Sequence, residues 1–354
     1  MLWAVIMAGG AGTRFWPESR RKLPKQFLRF FGSKTLLEET VARLRDVVPA
    51  SRTIVITSRD KVALSRKLLK KVPAAHILGE PVGRNTAPCA ALAAAIALRK
   101  DPEAVIALLP ADHHIGKPGV FRRALRTAFR VALKSRMPVT FGIKPAFAHT
   151  GYGYLEMGPL TERPSGAAVY RLKRFHEKPD GRKAAAFLRS GKFLWNSGMF
   201  VWRADEVLKA TARYQPEIDD LVKKILGVVL QQGLNRWFAK MPSISIDYGL
   251  MEKMKGRILT MPVDFGWNDV GGWQSLADLC RCDREGNVVT GKALLVESAG
   301  NIVRSGDRLV ALLGMKDHVV VDTPDALLVC PRGKTESIRR VVETLRQKKL
   351  DRYL

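Results

Sequence analysis

The sequence is poor in cysteine and in acidic residues, and it has no apolar run of membrane-spanning length. Its 354 residues include four cysteines, of which only Cys280 and Cys282 are close together. A zinc site or a disulfide framework needs more cysteines at regular spacing, so reduced thiols in a cytoplasmic protein are expected. The longest apolar run, Ala87–Leu98, has 12 residues and predicts a buried helix. The N-terminus lacks a charged region followed by an apolar one, which predicts no signal peptide and no membrane partner.

The shortage of acidic residues makes the chain strongly basic. Lys and Arg number 60 against 33 Asp and Glu, which gives a formal charge of +27. Two interpretations compete, a nucleic-acid binder and an enzyme with a small anionic substrate. From Pro118 to Arg136 most arginines lie off an apolar face that has helical spacing, which is typical of a solvated helix. The sequence therefore favours the enzyme and predicts no specific nucleic-acid partner.

Short β-branched runs alternate with helical patterns through the first two thirds of the chain. The predicted strands are Leu2–Met7, Thr53–Thr57, Ala75–Glu80, Ala104–Pro110 and Pro138–Ile143. This alternation predicts an α/β fold, with a Rossmann-like, mostly parallel sheet and helices on both faces. Ligands of such sheets lie at the carboxyl ends of the strands. Residues 8–14, 79–88 and 110–114 all follow such ends, so we expect them to converge.

From residue 283 the pattern changes to short β-prone runs separated by Gly, Asp or Asn turns. These runs predict a small β-rich region that resembles a short β-solenoid. Thr335–Leu345 has apolar residues at helical spacing and predicts a docked terminal helix. We therefore predict a catalytic domain over residues 1–282 and a β-rich domain over residues 283–354. The second domain is expected to pack on the first or on another subunit, and it is a candidate surface for a homodimer.

The segment after the first predicted strand has the features of a phosphate-binding loop. Gly9, Gly10 and Gly12 allow positive φ angles and a close approach of backbone N–H groups to an anion. Arg14 and Lys25 can add charge-assisted contacts to the same anion. The spacing is not G-x-x-x-x-G-K-[ST], which excludes a Walker-type NTPase. It is not G-x-G-x-x-G either, which weakens a dinucleotide-binding interpretation.

Taken together, the motifs resemble those of the sugar-phosphate nucleotidyltransferase family. In order along the chain they are GGAGTRFWP, PKQF, EPVGRNTAP, LLPADHHI, GYGYLE, FHEKPD, LWNSGMFVW, SISIDYGLME and FGWNDVGGW. Their order and rough spacing match the family over nearly the full length. The elements GRNTAP and PKQF resemble the guanylyl-mannose branch, the mannose-1-phosphate guanylyltransferases (GDP-mannose pyrophosphorylases), more than the thymidylyl-glucose branch. Bifunctional members with a downstream isomerase domain are longer than this chain.

The resemblance implies transfer of GMP from GTP to mannose 1-phosphate, with release of GDP-mannose and pyrophosphate and with Mg²⁺ as the cofactor. It implies that Asp112 and Asp269 are the metal ligands. It also implies that Arg14 holds the β- and γ-phosphates and that Lys25 stabilises charge on the α-phosphate. Another sugar 1-phosphate or another nucleotide is the alternative. A binding module that has lost turnover is a rival, which the presence of all four residues argues against.

The resemblance also implies two sets of binding residues. On the nucleotide side they are Gly9, Gly10, Gly12, Thr13, Glu80, Asn85 and Thr86. On the sugar-phosphate side they are Gly153, Glu177, Lys178 and Asn196. Asn85 or Thr86 can instead cap the helix that follows, so both roles stay open. Two interpretations of Asp247 stay open: it contacts the substrate at this site, or it orients a loop.

Overall fold

The computed structural model describes residues 1–10 and 12–354. Its strands, numbered in chain order, are β1 Leu2–Ala8, β2 Thr53–Ser58, β3 Ile77–Glu80, β4 Val105–Pro110, β5 His114–Ile115, β6 Val139–Ile143, β7 Tyr154–Glu162, β8 Val169–His176, β9 Phe193–Arg203, β10 Leu259–Val263, β11 Trp267–Asn268, β12 Val288–Thr290, β13 Ala293–Val296, β14 Ile302–Arg304, β15 Val310–Leu313, β16 His318–Asp322 and β17 Leu327–Pro331. Its α-helices are α1 Leu36–Ala42, α2 Val62–Leu68, α3 Thr86–Lys100, α4 Pro118–Ser135, α5 Gly181–Ser190, α6 Ala204–Tyr214, α7 Pro216–Leu226, α8 Leu230–Trp237, α9 Ile246–Gly249, α10 Trp273–Ala277 and α11 Ile338–Gln347.

The chain divides into two compact units, and each unit is built from separate segments. The first unit contains Met1–Gly9, Thr40–Ala111 and Ile115–Trp267. The second contains Gly10–Glu39, Asp112–His114 and Asn268–Leu354. The segment after β1 is thus grouped with the C-terminal region. The predicted domain boundary between residues 282 and 283 stays a prediction.

Within the part of the first unit that the structure describes, a nine-stranded sheet has the order β3-β2-β1-β4-β9-β6-β10-β8-β7. β1 pairs in parallel with β2 and β4, and β2 pairs in parallel with β3, as strand–helix alternation requires. β9, formed by the motif LWNSGMFVW and its neighbours, runs antiparallel to both β4 and β6. The predicted α/β class is confirmed, and the sheet becomes mixed where β9 enters it.

The alanine-rich helix α3 lies in the core of the first unit. Ala90, Ala93, Ala94 and Ala97 are fully buried there together with residues of β1, β2, β4 and β9. Small side chains permit such close packing of a helix, and alanine is also the strongest helix former. The predicted buried helix is therefore present. Over the residues described, none of the helices combines the length and apolarity needed to cross a membrane.

The C-terminal part of the second unit is a short β-solenoid. β12, β14 and β16 pair in parallel, β17 runs antiparallel to β16, and β13 pairs in parallel with β15. Two buried asparagines stack on successive turns, since Oδ1 of Asn287 accepts from the backbone N of Asn301 at 2.9 Å. In the same way Oδ1 of Asn301 accepts from the backbone N of His318 at 3.0 Å. These side-chain amides accept hydrogen bonds from buried backbone N–H groups in the turns. The predicted β-rich region with a terminal helix is confirmed.

One hydrophobic core in the second unit joins the solenoid to the segment that follows β1. Its buried side chains are Phe15, Trp16, Leu28, Phe30, Leu36, Val270, Trp273, Leu276, Ala277, Val288, Ile302, Val319, Val321, Leu328, Ile338, Val342 and Leu354. The ring centroid of Phe15 lies 4.7 Å from that of Phe30 and 5.1 Å from that of Trp273. The solenoid therefore supplies a large part of the core under residues 15–36.

Candidate active site

Lys25 is the buried centre of a group of charged residues in the second unit. Lys25 begins a short 3₁₀ helix, Lys25–Phe27, and only 6% of its surface is exposed. Its Nζ donates to Oδ2 of Asp112 at 3.0 Å and to the backbone O of Asp269 at 2.6 Å. A buried ammonium group needs partners of this kind. The structure thus brings Lys25 to both predicted metal ligands, which come from separate segments of the chain.

Two glycines allow the charged side chains to approach the backbone. Gly12 has φ +61°, and a Cβ there would lie 2.3 Å from Cβ of Lys25, which is too close for any side chain. A Cβ on Gly271 would lie 3.1 Å from Oδ2 of Asp269 and 3.4 Å from Nη1 of Arg14. Arg14 and Asp269 therefore both border the space at Gly271, close to Lys25.

The other predicted loop residues have less specific surroundings. Thr13 begins the 3₁₀ helix Thr13–Phe15, whose N-cap is Gly12. A Cβ on Gly10 would meet nothing within 4 Å among the residues that the structure describes. Packing therefore requires a glycine at position 12 and does not require one at position 10.

Asp269 precedes a residue with strained backbone. Val270 has φ +48° and is fully buried, a combination that β-branched residues rarely adopt. Its backbone N donates to Oδ1 of Asn268 at 2.6 Å, which helps to hold the turn. Strain of this kind persists only where the surroundings enforce it, and it is concentrated at functional sites. This observation supports a functional role for Asp269.

Two opposing effects act on the pKa of the Asp112 carboxyl group, namely burial and the charge of a neighbouring cation. Burial by itself would raise the pKa of Asp112, but the Lys25 ammonium and His113 offset it, and the pKa is lower than the ordinary value. The group is therefore ionised at neutral pH. Asp112 and Asp269 offer hard oxygen donors, and Mg²⁺ commonly takes one or two carboxylates and completes its shell with phosphate and water. These donors fit a divalent ion of that type.

Glu80 is a buried acid at the carboxyl end of β3 in the first unit. Its Oε1 is buried and has no hydrogen-bond partner in the described part of the chain, and its Oε2 would lie 3.4 Å from a Cβ on Gly9. Burial raises the pKa of Glu80 to about 7. A buried carboxyl oxygen without a partner is costly for folding, and Glu80 is therefore a strong candidate for a ligand contact.

Asn85 and Thr86, which also belong to the predicted nucleotide set, have structural partners. Oδ1 of Asn85 accepts from the backbone N of Thr86 at 3.0 Å, so Asn85 is the N-cap of α3. Oγ1 of Thr86 accepts from the backbone N of Ile246 at 2.8 Å. The capping role is confirmed for Asn85. A nucleotide contact by either residue stays a prediction.

The four residues predicted on the sugar-phosphate side lie together in the first unit. The backbone O of Gly153 accepts from the backbone N of Asn196 at 2.8 Å. A Cβ on Gly153 would lie 2.5 Å from Oε2 of Glu177 and 3.3 Å from Cβ of Asn196. Nζ of Lys178 donates to Oε1 of Glu177. A side chain at position 153 would therefore displace the carboxylate of Glu177.

Three more residues hold this sugar-side cluster in place. Oδ1 of Asp247 accepts from Nδ2 of Asn196 at 3.2 Å, and Oγ1 of Thr140 donates to Oδ1 of Asn196 at 3.1 Å. Oε1 of Glu252 accepts from the backbone N of Glu177 at 3.2 Å. Sequence reasoning missed Thr140 and Glu252, although Glu252 lies in the motif SISIDYGLME, and it left Asp247 open.

The buried position of Asp247 changes the acidity of its carboxyl group. Burial, followed by the charge of Glu177, raises the pKa of Asp247 to about 7. Asp247 therefore adds to the cluster a carboxyl group whose pKa is near neutral pH. Such groups are frequent in binding and catalytic sites.

Arg14 also has a partner in the C-terminal region that the sequence did not suggest. Its Nη1 lies 3.5 Å from Oε2 of Glu336, in the turn before α11. Both side chains are more than a third exposed, so the ion pair by itself contributes little to stability. It does show that the region before α11 reaches the loop that carries Arg14.

Comparisons with known proteins identify the family of the chain. Residues 3–285 match the family model described as nucleotidyl transferase, and residues 291–345 match a MannoseP isomerase/GMP-like beta-helix domain. A mannose-1-phosphate guanylyltransferase of Escherichia coli is 37% identical over 361 residues, which cover 100% of this chain and 76% of the relative. The xanthan biosynthesis protein XanB of Xanthomonas campestris pv. campestris (strain B100) is 38% identical over 349 residues, which cover 97% of this chain and 73% of that relative.

A solved structure is similar over almost the same extent. The crystal structure of a mannose-1-phosphate geranyltransferase from Thermus thermophilus has a TM-score of 0.89 and 35% sequence identity. The similarity covers 98% of this chain and 99% of that one. Sequence and fold therefore point to the same group of proteins.

Proposed function

The chain belongs to the nucleotidyl transferase family, and from this premise we propose that it catalyses the mannose-1-phosphate guanylyltransferase reaction. GMP is transferred from GTP to α-D-mannose 1-phosphate, and the products are GDP-mannose and pyrophosphate. The observation that carries the proposal is the buried Lys25, whose Nζ contacts Asp112 at 3.0 Å and the backbone O of Asp269 at 2.6 Å. Relatives that are named for this activity support the choice of substrates.

The reaction needs positioning and charge neutralisation more than covalent help. An oxygen of the sugar phosphate forms a bond to the α-phosphorus of GTP, and the bond from that phosphorus to the bridging oxygen of the β-phosphate breaks. We assign Lys25 to the charge that develops on the α-phosphate and Arg14 to the departing pyrophosphate. The positive φ and tight packing of Gly12 support a loop shaped to bring backbone N–H groups towards these phosphates.

Members of this family use divalent metal ions, and we propose Mg²⁺ for this chain. Asp112 and Asp269 would hold the ion, since both offer carboxylate oxygens and both adjoin Lys25. When bound, the ion neutralises phosphate charge and orients the triphosphate for in-line displacement. The strained Val270 supports a turn that fixes the position of Asp269.

We assign recognition of the guanine base to Glu80. The Watson–Crick edge of guanine presents two neighbouring donors, the N1–H and the exocyclic amino group, and a carboxylate can accept from both. Adenine presents an acceptor at N1, so it cannot make this pair. The buried, unpartnered Oε1 of Glu80 supports the assignment, because a base donor would satisfy it.

We assign the mannose 1-phosphate to the sugar-side cluster. Glu177 and Asn196 offer acceptors and a donor to sugar hydroxyls, and Lys178 offers a cation to the sugar phosphate. The hydrogen bonds of Thr140 and Asp247 to the amide of Asn196 support a fixed orientation of that side chain. A fixed polar group of this kind discriminates between sugars that differ at one hydroxyl.

We further propose a homodimer through the solenoid. Large apolar side chains that are more than half exposed line one depression of the solenoid, namely Leu309, Leu313, Leu327 and Val329. A patch of this kind is typical of a protein–protein interface. Light scattering of the full chain against Leu313→Arg tests the proposal, and an unchanged monomeric mass in both proteins would contradict it.

The activity is tested by measuring pyrophosphate release from a panel of substrates. GTP, ATP, UTP and dTTP are combined with mannose 1-phosphate or glucose 1-phosphate, with Mg²⁺ or with excess chelator. We expect release with GTP, mannose 1-phosphate and Mg²⁺, and loss of it in Lys25→Met. A higher efficiency with another sugar phosphate or nucleotide would select the alternative substrate. No release from any pair would refute the proposed activity.

A further inference from the structure

Arg304 is a largely buried arginine at the end of β14 in the solenoid. Its side chain is 17% exposed, and its Nε donates to Oε1 of Glu18, whose side chain is 18% exposed. Its Nη2 donates to the backbone O of Arg29 at 2.9 Å. The guanidinium also lies over the ring of Phe30, 5.3 Å from the centroid. One side chain of the solenoid therefore contacts both ends of residues 18–29.

These two contacts lie close in sequence to the residues to which the proposed function assigns the phosphates. Glu18 follows Arg14 by four positions, and Arg29 follows Lys25 by four positions. A guanidinium is a planar fork whose several N–H donors can reach two acceptors at fixed angles. The single ammonium nitrogen of a lysine cannot reproduce that geometry. Arg304 is thus chemically suited to fix the distance between Glu18 and Arg29.

Other contacts attach the same segment to the C-terminal region and are independent of Arg304. Nη2 of Arg20 lies 2.7 Å from Oδ1 of Asp325, and Nε1 of Trp16 donates to the backbone O of Tyr353 at 2.8 Å. The shared hydrophobic core is built from apolar side chains and does not include Arg304. Removal of the fork should therefore loosen the segment locally without unfolding the unit.

We propose that Arg304 is a positioning residue for phosphoryl transfer. It touches no reacting group, and it holds both ends of residues 18–29 so that Arg14 and Lys25 are preorganised for the triphosphate. The expected effect of Arg304 on kcat rests on the proposed function. The expected attachment of residues 18–29 to the solenoid through Arg304 does not rest on it.

The test compares Arg304→Gln and Arg304→Lys with wild type and with Arg308→Gln. Arg308 is a matched control, since it is a solenoid arginine that pairs with Asp322 at 3.4 Å and is mostly exposed. With both substrates saturating, we expect kcat of Arg304→Gln to fall by about 10- to 100-fold, the effect of a misplacement near 1 Å. The KM for mannose 1-phosphate should change little, because the sugar-side residues lie in the other unit. Arg304→Lys should fall between Arg304→Gln and wild type, and Arg308→Gln should match wild type.

Limited trypsin digestion gives a readout that does not depend on activity. Arg21 and Lys22 are exposed cleavage sites within residues 18–29. Cleavage there should be several-fold faster in Arg304→Gln than in wild type or Arg308→Gln, with unchanged far-UV circular dichroism. If Arg304→Gln does not fold, Arg304→Lys decides the matter by the same two measurements.

Wild-type kcat together with wild-type cleavage in the folded variant would overturn the proposal. So would a loss of kcat that matches only the loss of folded protein, because that is a purely structural effect. If wild type itself releases no pyrophosphate, the proposed function fails, and the digestion rates alone then test the role of Arg304.

Discussion

Nζ of Lys25 lies 3.0 Å from Oδ2 of Asp112, although the two residues are 87 positions apart in the chain. The Asp112 carboxylate makes the burial of the Lys25 ammonium group tolerable, because an isolated buried ion is strongly destabilising. The pair also joins the residue assigned to the α-phosphate to one assigned to the metal. Substitution of either residue therefore affects its partner as well as its own function, so the predictions for this pair use variants that keep the shape of the side chain.

Replacement of Lys25 by methionine keeps most of the aliphatic stem and removes the charge. We expect kcat for pyrophosphate release to fall by about 10²- to 10³-fold, which is typical when one preorganised contact to developing charge is lost. Steady-state rates at saturating GTP and mannose 1-phosphate measure the effect. Lys22→Met, at an exposed position of the same segment, is the control. A kcat within about threefold of wild type would contradict the role of Lys25.

Asp112→Asn and Asp269→Asn keep the shape of each side chain and remove its charge. We expect both variants to lose Mg²⁺-dependent turnover, because a neutral amide is a poor ligand for a hard divalent ion. Rates are measured over a Mg²⁺ titration, with Asp46→Asn at a highly exposed site as the control. Full wild-type activity in excess chelator, or an unchanged Mg²⁺ dependence in either variant, would show the assignment to be wrong.

Glu80→Gln tests the buried acid through the dependence of stability on pH. Because burial raises the pKa of Glu80 from 4.5 to about 7, the folded chain binds this proton more tightly than the unfolded chain does. The resulting stabilisation is present below pH 4.5 and is lost as pH rises through 7. An amide does not titrate, so the variant should gain up to about 3 kcal/mol relative to wild type between pH 5 and pH 8.

Urea unfolding of both proteins at the two pH values measures that gain. Glu103→Gln, at an exposed position before β4, is the control and should show no such gain. A difference between Glu80→Gln and wild type that is the same at both pH values would refute the raised pKa. In the enzyme assay, the same variant should lose preference for GTP over ATP, since an amide can accept only one of the two guanine hydrogen bonds.

Asn196→Ala tests sugar recognition separately from nucleotide recognition. The substitution removes a hydrogen-bonding group that Asp247 and Thr140 hold in place, and an unpaired buried group costs about 1–3 kcal/mol. We expect the KM for mannose 1-phosphate to rise by about tenfold or more, with a nearly unchanged KM for GTP. Competition between mannose 1-phosphate and glucose 1-phosphate at fixed GTP measures discrimination. Equal efficiency of the two epimers in wild type would defeat the mannose assignment and leave the family assignment intact.

Local patterns in the sequence were sufficient to predict the α/β class, the buried helix α3 and the β-rich C-terminal region. Strand–helix alternation and the spacing of apolar residues are properties of short windows, so they survive without knowledge of distant contacts. The motifs around Gly12, Lys25, Asp112 and Asp269 were likewise visible along the chain. Residues 8–14 and 110–114 were expected to converge because both follow strand ends, whereas the roles of Lys25 and Asp269 at the same site were implied by the resemblance. In the structure Lys25 contacts both aspartates.

Long-range contacts decided what the local patterns could not. β9 enters the sheet between β4 and β6 in antiparallel orientation, and no short window contains the pairing partners that select this position. The same limit applies to Glu336 beside Arg14 and to Arg304 between Glu18 and Arg29, since hundreds of positions separate these residues. Burial of Glu80 and Asp247, and with it the rise of both pKa values to about 7, depends on atoms from many segments. Composition and spacing specify which groups are available, whereas desolvation and pairing, which set their chemistry, arise only when the chain packs.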